Sequence, residues 1–112
     1  MDDKLNILWT SDNPHTAHTM VFMYAIAAKT QGWFNEVEII IWGASAKLVA
    51  EDEGIQEKIK MAQYAGVVVK ACIGCTNTFG VTEKLKSLEL EVGPMGVPLT
   101  TALKDNEKLL TV

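Results

Sequence analysis

The chain has only two thiols, Cys72 and Cys75, and several other features are missing outright. No stretch approaches the ~20 apolar residues of a membrane-spanning helix. The opening Met1-Asp2-Asp3-Lys4-Leu5-Asn6 lacks the charged-then-apolar layout of a secretion signal. Clustered basic residues are absent too: the lysines are scattered among acids at a formal net charge of -4. That balance excludes the usual phosphate-binding surface of a nucleic-acid partner. Repeats, linkers and low-complexity segments are also lacking. The expectation is a soluble cytoplasmic protein with neither nucleic acid nor membrane as partner. Thiols stay reduced in that compartment, so a lone cysteine pair is more readily catalytic, redox-active or metal-binding than a structural staple.

What is present is enough apolar material for a core. With 112 residues, 48% of them hydrophobic, the chain is expected to form one domain spanning residues 1–112. Five short apolar runs, at 5–10, 37–42, 66–71, 88–93 and 108–112, alternate with helix-like stretches. Such alternation predicts an α/β fold with a parallel sheet and helices on both of its sides. The runs Val37-Glu38-Ile39-Ile40-Ile41-Trp42 and Val67-Val68-Val69 are rich in β-branched residues, as strands buried on both faces are. A first helix is predicted from about His15 to Gln31, opened by Asn13-Pro14 and closed by Gly32. A second helical region, 44–65, should break near Glu51-Asp52-Glu53-Gly54. Shorter helices are expected at 82–87, capped by Thr82, and from near Pro98 to Asp105-Asn106.

The first helix is apolar around nearly its whole circumference, from Met20 to Ala28. A helix on one face of a sheet needs only a stripe, so its far side requires a cover. A second copy of the chain is the expected cover, because so large an apolar patch is unusual on a monomer.

Cys72-Ile73-Gly74-Cys75 lies where the third apolar run meets a turn and a short helix. Unpaired N–H groups and aligned peptide dipoles at a helix start favour a thiolate, which makes Cys72 or Cys75 a candidate nucleophile. The partner thiol can close a disulfide onto an oxidised or sulfur-loaded first thiol if the two Cα atoms lie within about 7 Å. Gly74 permits a tight backbone path, and Thr76 and Asn77 are candidate hydrogen-bond donors to sulfur. Loops beyond the C-terminal ends of parallel strands open on one edge, so the loops holding Ser11 and Asn13, and Trp42 and Gly43, are expected to face the cysteines. Trp42 would wall the pocket. His15 and His18 share a helix face and are candidate proton donors or thiolate-stabilising cations. A zinc site built from these histidines and the cysteines would need two loops to converge closely, and no metal is assigned. The Thr10-to-Pro14 loop lacks the glycines that wrap a phosphate, so its hydroxyls read as helix caps rather than a flavin or anion site, and no cofactor is assigned.

Several segments taken together resemble the DsrE/DsrF-like family: Cys72-Ile73-Gly74-Cys75-Thr76-Asn77-Thr78-Phe79-Gly80-Val81-Thr82, Trp42-Gly43, and Gly96-Val97-Pro98-Leu99-Thr100. The cysteine followed eight residues later by Gly80-Val81 is the most specific element. The resemblance covers almost the whole chain. It implies a doubly wound, three-layer α/β/α domain with a five-stranded parallel sheet, assembled into a homotrimer or homohexamer. It also implies a sulfur-relay role in which Cys72 accepts sulfane sulfur as a persulfide from a donor protein and yields it to an acceptor protein. Cys75 departs from the family's carrier pattern and would act as a resolving thiol. The resemblance is compatible both with turnover as a sulfurtransferase and with service as a sulfur carrier. The rival readings are a dithiol redox protein or sensor, and a metal-binding or structural oligomeric module.

Overall fold

The computed structural model describes residues 3–112. Five strands, β1 (Lys4–Trp9), β2 (Glu36–Ile41), β3 (Val68–Cys72), β4 (Glu91–Gly93) and β5 (Lys108–Thr111), form one sheet in the order β4-β3-β2-β1-β5. Every neighbouring pair is parallel. The first three crossovers step in one direction across the sheet and the last returns to the far side of β1. Right-handed connections therefore put the first three helical layers on one face and the final helix on the other. This is a doubly wound α/β/α arrangement with one thick and one thin outer layer.

The elements follow from local chemistry. Asn13 caps α1 (Pro14–Thr16), its side chain accepting from the Thr16 N–H at 3.0 Å, and Pro14 occupies the first turn, where its missing N–H costs nothing. The rod continues as a π-helical stretch (Ala17–Phe22) and then α2 (Met23–Thr30). The expected break in the second region falls at Asp52, which ends α3 (Ala44–Glu51) and caps α4 (Glu53–Tyr64) by accepting from the Ile55 N–H at 3.0 Å. α5 (Ile73–Phe79) stops at Gly80, whose φ of 68° is a left-handed conformation that glycine adopts freely. α6 (Thr82–Ser87) follows at once. Thr82 begins that helix but does not cap it: its hydroxyl donates to the Thr76 hydroxyl at 2.8 Å and lies against Asn77, tying α5 to α6. α7 (Gly96–Lys104) starts two residues ahead of Pro98, because a proline in the first turn breaks no helical hydrogen bond.

The main core lies on the thick face. Leu5, Ile7 and Trp9 of β1, Val37, Ile39 and Ile41 of β2, and Val69 and Ala71 of β3 pack against Val21, Phe22, Ala25, Val49, Ile55, Ile59 and Leu85. Each large side chain buried in this way contributes about 1.5–3 kcal/mol relative to exposure. Trp9 and Phe22 meet edge to face, with centroids 5.3 Å apart.

The thin face corrects the expectation that the third strand is covered on both sides. Val68 is 50% exposed and Lys70 is partly so. A single nine-residue helix, α7, serves this face, and its Val97, Pro98 and Thr101 line a cavity together with Asn6, Glu38, Ile40 and Lys70. Elsewhere the surface is ionic. Glu38, only 7% exposed, is held by Lys4 at 2.8 Å and by Lys70 at 2.7 Å, and Lys70 also reaches Glu91 at 3.4 Å. No helix among the described residues is long and apolar enough to cross a membrane.

Burial disfavours the Glu38 carboxylate, but Lys4 and Lys70 outweigh it and hold its pKa below the ordinary 4.5. A depressed carboxylate adds stability that is complete above the unfolded value and is lost as pH falls through the folded value. Glu38→Gln is therefore expected to cost about 1–3 kcal/mol at neutral pH. It should also flatten the loss of stability between neutrality and pH values below 4.5. Urea unfolding followed by circular dichroism across that range measures both effects.

Candidate functional site

Cys72 is the last residue of β3 and the residue immediately before α5, so its side chain sits where a buried strand turns into a helix start. It points to the thin face, where it packs with Ile40 and Met95, and Leu8, Trp42 and Cys75 border the cluster. Cys72 as a residue is 8% exposed, while Cys75, in the first turn of α5, is half-buried. Both thiols are free. An open cleft of about 420 Å³ leads to them, lined by Trp42, Gly43, Cys72, Gly74, Cys75, Thr78 and Phe79. None of these side chains is charged.

The electrostatics of the pair are asymmetric. Burial penalises the Cys72 thiolate, yet the Cys75 N–H, the Cys75 thiol and the N–H groups of Gly74 and Met95 together bring its pKa below that of an ordinary thiol. For Cys75, burial pushes the value up, the Gly43 N–H counteracts it in part, and the negative charge of Cys72 pushes it further up. Cys72 is thus the more readily ionised thiol of the pair, and Cys75 the one that donates to it.

Gly43 has a specific reason to be glycine. Its φ of 68° with ψ of -133° lies where a Cβ is disfavoured, although a Cβ there would meet nothing within 4 Å. The requirement is conformational, and it turns the Gly43 N–H toward Cys75. Beside it, the buried Ser45 hydroxyl donates to the Trp9 carbonyl at 2.6 Å and accepts from the Trp42 N–H at 3.1 Å, locking the exits of β1 and β2 together.

The cleft gathers Trp42, Gly43 and Gly74 with the two cysteines, as expected from the loop positions. Thr76 is buried below it with its hydroxyl donating to the Ile73 carbonyl at 3.1 Å, and Asn77 is exposed against Thr82. The donors to sulfur are backbone N–H groups and the second thiol rather than these two side chains. Ser11 and Asn13 form the capping turn of α1, where the Ser11 hydroxyl accepts from the Asn13 N–H at 3.1 Å. His15 is exposed, and His18 lays its ring over Gly54 at the start of α4, in a groove with Phe22, Met23 and Met61. Neither histidine lines the cysteine cleft. No cluster of three or more His, Cys, Asp or Glu side chains suited to a metal occurs among the described residues. The residue that sequence reasoning missed is Met95, which brings both its N–H and its buried side chain to Cys72. The adjacent Gly96-Val97-Pro98 run marked its neighbourhood but not its role.

A model of the DsrE/DsrF-like family matches residues 3–112. The chain belongs to that family. Among solved structures, BT1422, a conserved protein of unknown function from Bacteroides thetaiotaomicron, is 44% identical to this DsrE/DsrF-like protein, with a TM-score of 0.95 over 98% of this chain and 95% of that one. The ychN protein from E. coli aligns over 100% of both chains with a TM-score of 0.73 at 18% identity, a likeness of fold alone. No curated protein matches. The DsrE/DsrF-like family is in general one of sulfur relay.

The asymmetry of the thiols sets an expected outcome. In a Cys75→Ala variant, the alkylation rate of Cys72 should rise with pH from below the ordinary thiol range. In the wild type Cys75 should react only at higher pH, and Cys72→Ala should lower that pH, because the charge and hydrogen bond of Cys72 that raise the Cys75 value are lost. Iodoacetamide labelling followed by intact mass against pH checks the order, and a reversed order would contradict the geometry.

Proposed function

We propose that this chain carries sulfane sulfur as a persulfide on Cys72. The observation that supports it is the convergence of three N–H groups and the Cys75 thiol on the Cys72 sulfur at the floor of an accessible cleft. A thiolate stabilised in this way attacks the outer sulfur of a donor persulfide R–S–SH. The S–S bond of the donor breaks, the inner sulfur departs with its electron pair as the thiolate RS⁻, and Cys72 is left as the persulfide Cys72–S–SH. The same array of donors then stabilises Cys72 as the leaving thiolate when an acceptor thiolate removes the sulfur. Donor and acceptor are proteins, and the setting is the reducing cytoplasm.

Cys75 supplies a second exit. Its thiolate can attack the inner sulfur of the loaded Cys72, expelling hydrosulfide and forming the Cys72–Cys75 disulfide, which an external dithiol reductant then reopens. The short path between the thiols equally suits a dithiol redox sensor that carries no sulfur, so the decisive measurement is sulfur loading itself. Reduced protein incubated with a persulfide donor should gain one sulfur atom by intact mass. Cys72→Ser should gain none, and Cys75→Ser should load and keep the sulfur longer than wild type. A wild-type chain that forms a disulfide without ever carrying sulfur would favour the sensor.

The chain is further proposed to act as a homotrimer or homohexamer. The helix from Pro14 to Thr30 buries Val21, Phe22, Ala25 and Ala28 inward but leaves Met20 and Met23 outward; Met23 lines a groove with Met61 of α4, and Ile26 lines another with Met61 and Tyr64. Light scattering of wild type should give a multiple of the 12.3 kDa chain mass, and the double variant Met23→Glu, Met61→Glu should shift toward the monomer.

A further inference from the structure

Met95 has no part in the sulfur chemistry beyond its backbone, yet its side chain is almost fully buried and lies in the same cluster as both thiols. Three sulfur-bearing side chains therefore belong to one packed cluster on the thin face. They come from separate segments: Cys72 from the end of β3, Cys75 from the first turn of α5, and Met95 from the loop between β4 and α7. Around them are Leu8, Ile40 and the ring of Trp42, with no charged side chain and no imidazole in the cluster.

Donor chemistry selects among metals. Two thiolates and a thioether are soft ligands, which favour a soft monovalent ion over harder divalent ions that prefer oxygen or nitrogen. Zinc in a structural site takes four ligands from Cys, His or carboxylates, and here only two such residues are present. Methionine is unbranched and flexible enough to bring its sulfur to bear without moving the backbone. The hydrophobic surround would keep water and oxidants away from a bound soft ion.

The geometry points to a Cu(I) site formed by Cys72, Cys75 and Met95. Binding converts two thiols to thiolates and releases two protons, leaving a three-sulfur complex of net charge -1 with no change in the oxidation state of copper or sulfur. The entrance is the same cleft that leads to Cys72, bounded by Trp42 and Phe79. The metal and the persulfide consequently compete for one thiolate, so copper occupancy would switch off sulfur loading.

Titration of the reduced full-length protein with Cu(I) under anaerobic conditions, in competition with a chromophoric Cu(I) chelator, is the test. One Cu(I) per chain is expected, with a thiolate-to-copper charge-transfer band in the ultraviolet. Copper-edge X-ray absorption should report three sulfur neighbours. Met95→Leu retains the volume and the backbone N–H, and should weaken Cu(I) binding by at least the ~10-fold that loss of even a supporting group costs a metal site. Its copper should show two sulfur neighbours, while its unaltered circular dichroism verifies folding. Equal Cu(I) affinity and coordination in folded Met95→Leu, or failure of wild type to hold Cu(I) against the chelator, would overturn the site. Sulfur loading measured on metal-free protein is a separate readout, so the carrier reading can fail while the copper site stands, and the reverse.

Discussion

Everything at the site depends on all five strands running in one direction. Parallel strands send their exits to a single edge, so backbone from three successive exits is available at one point. Gly43 contributes an N–H from the exit of β2, Gly74 and Cys75 from that of β3, and Met95 from that of β4. No side-chain cation takes part. Ionisation of Cys72 is favoured by dipoles whose positions are fixed by strand pairing and by the single helix covering that face. Such a donor set needs little reorganisation when charge appears or leaves at sulfur, which suits a group that is nucleophile in one step and leaving group in the next.

The two thiols divide the work because their surroundings differ. Cys72 precedes α5 and receives several N–H groups, whereas Cys75 lies inside the first turn and faces one N–H together with the charge of its neighbour. Burial raises both pKa values, and the hydrogen bonds decide which thiol ionises. The uncharged cleft strengthens this difference, since nothing else in it competes for the sulfur.

Much of the fold was legible in the sequence because its signals are local. Asn13-Pro14 and Asp52 are caps whose chemistry requires no distant partner, and the apolar runs of β1 and β2 reflect a buried central sheet. Where the expectation failed, long-range information was needed. Val68 sits in a run that suits a fully covered strand, yet strand order leaves only α7 for the second face. At the site, the CxxC spacing and the exit-loop rule found the cysteines, Trp42, Gly43 and Gly74. They said nothing about Met95, because its proximity to Cys72 results from the pairing of β3 with β4, in which Cys72 stands opposite Gly93. The histidines were misleading for the opposite reason. Their i, i+3 spacing puts them on one face of a helix, but that face turns toward α4 and solvent.

The line of ionic contacts on the thin face has a structural meaning of its own. Lys4, Glu38, Lys70 and Glu91 belong to β1, β2, β3 and β4 in turn, so a single chain of attractions runs obliquely across four strands. A slip of any strand by one residue would turn its charged side chain to the opposite, hydrocarbon-packed side and leave its neighbours uncompensated. On a surface too polar for hydrophobic patterning to fix alignment, the alternating charges act as a vernier that holds the strands in step and keeps the far edge of the sheet in line.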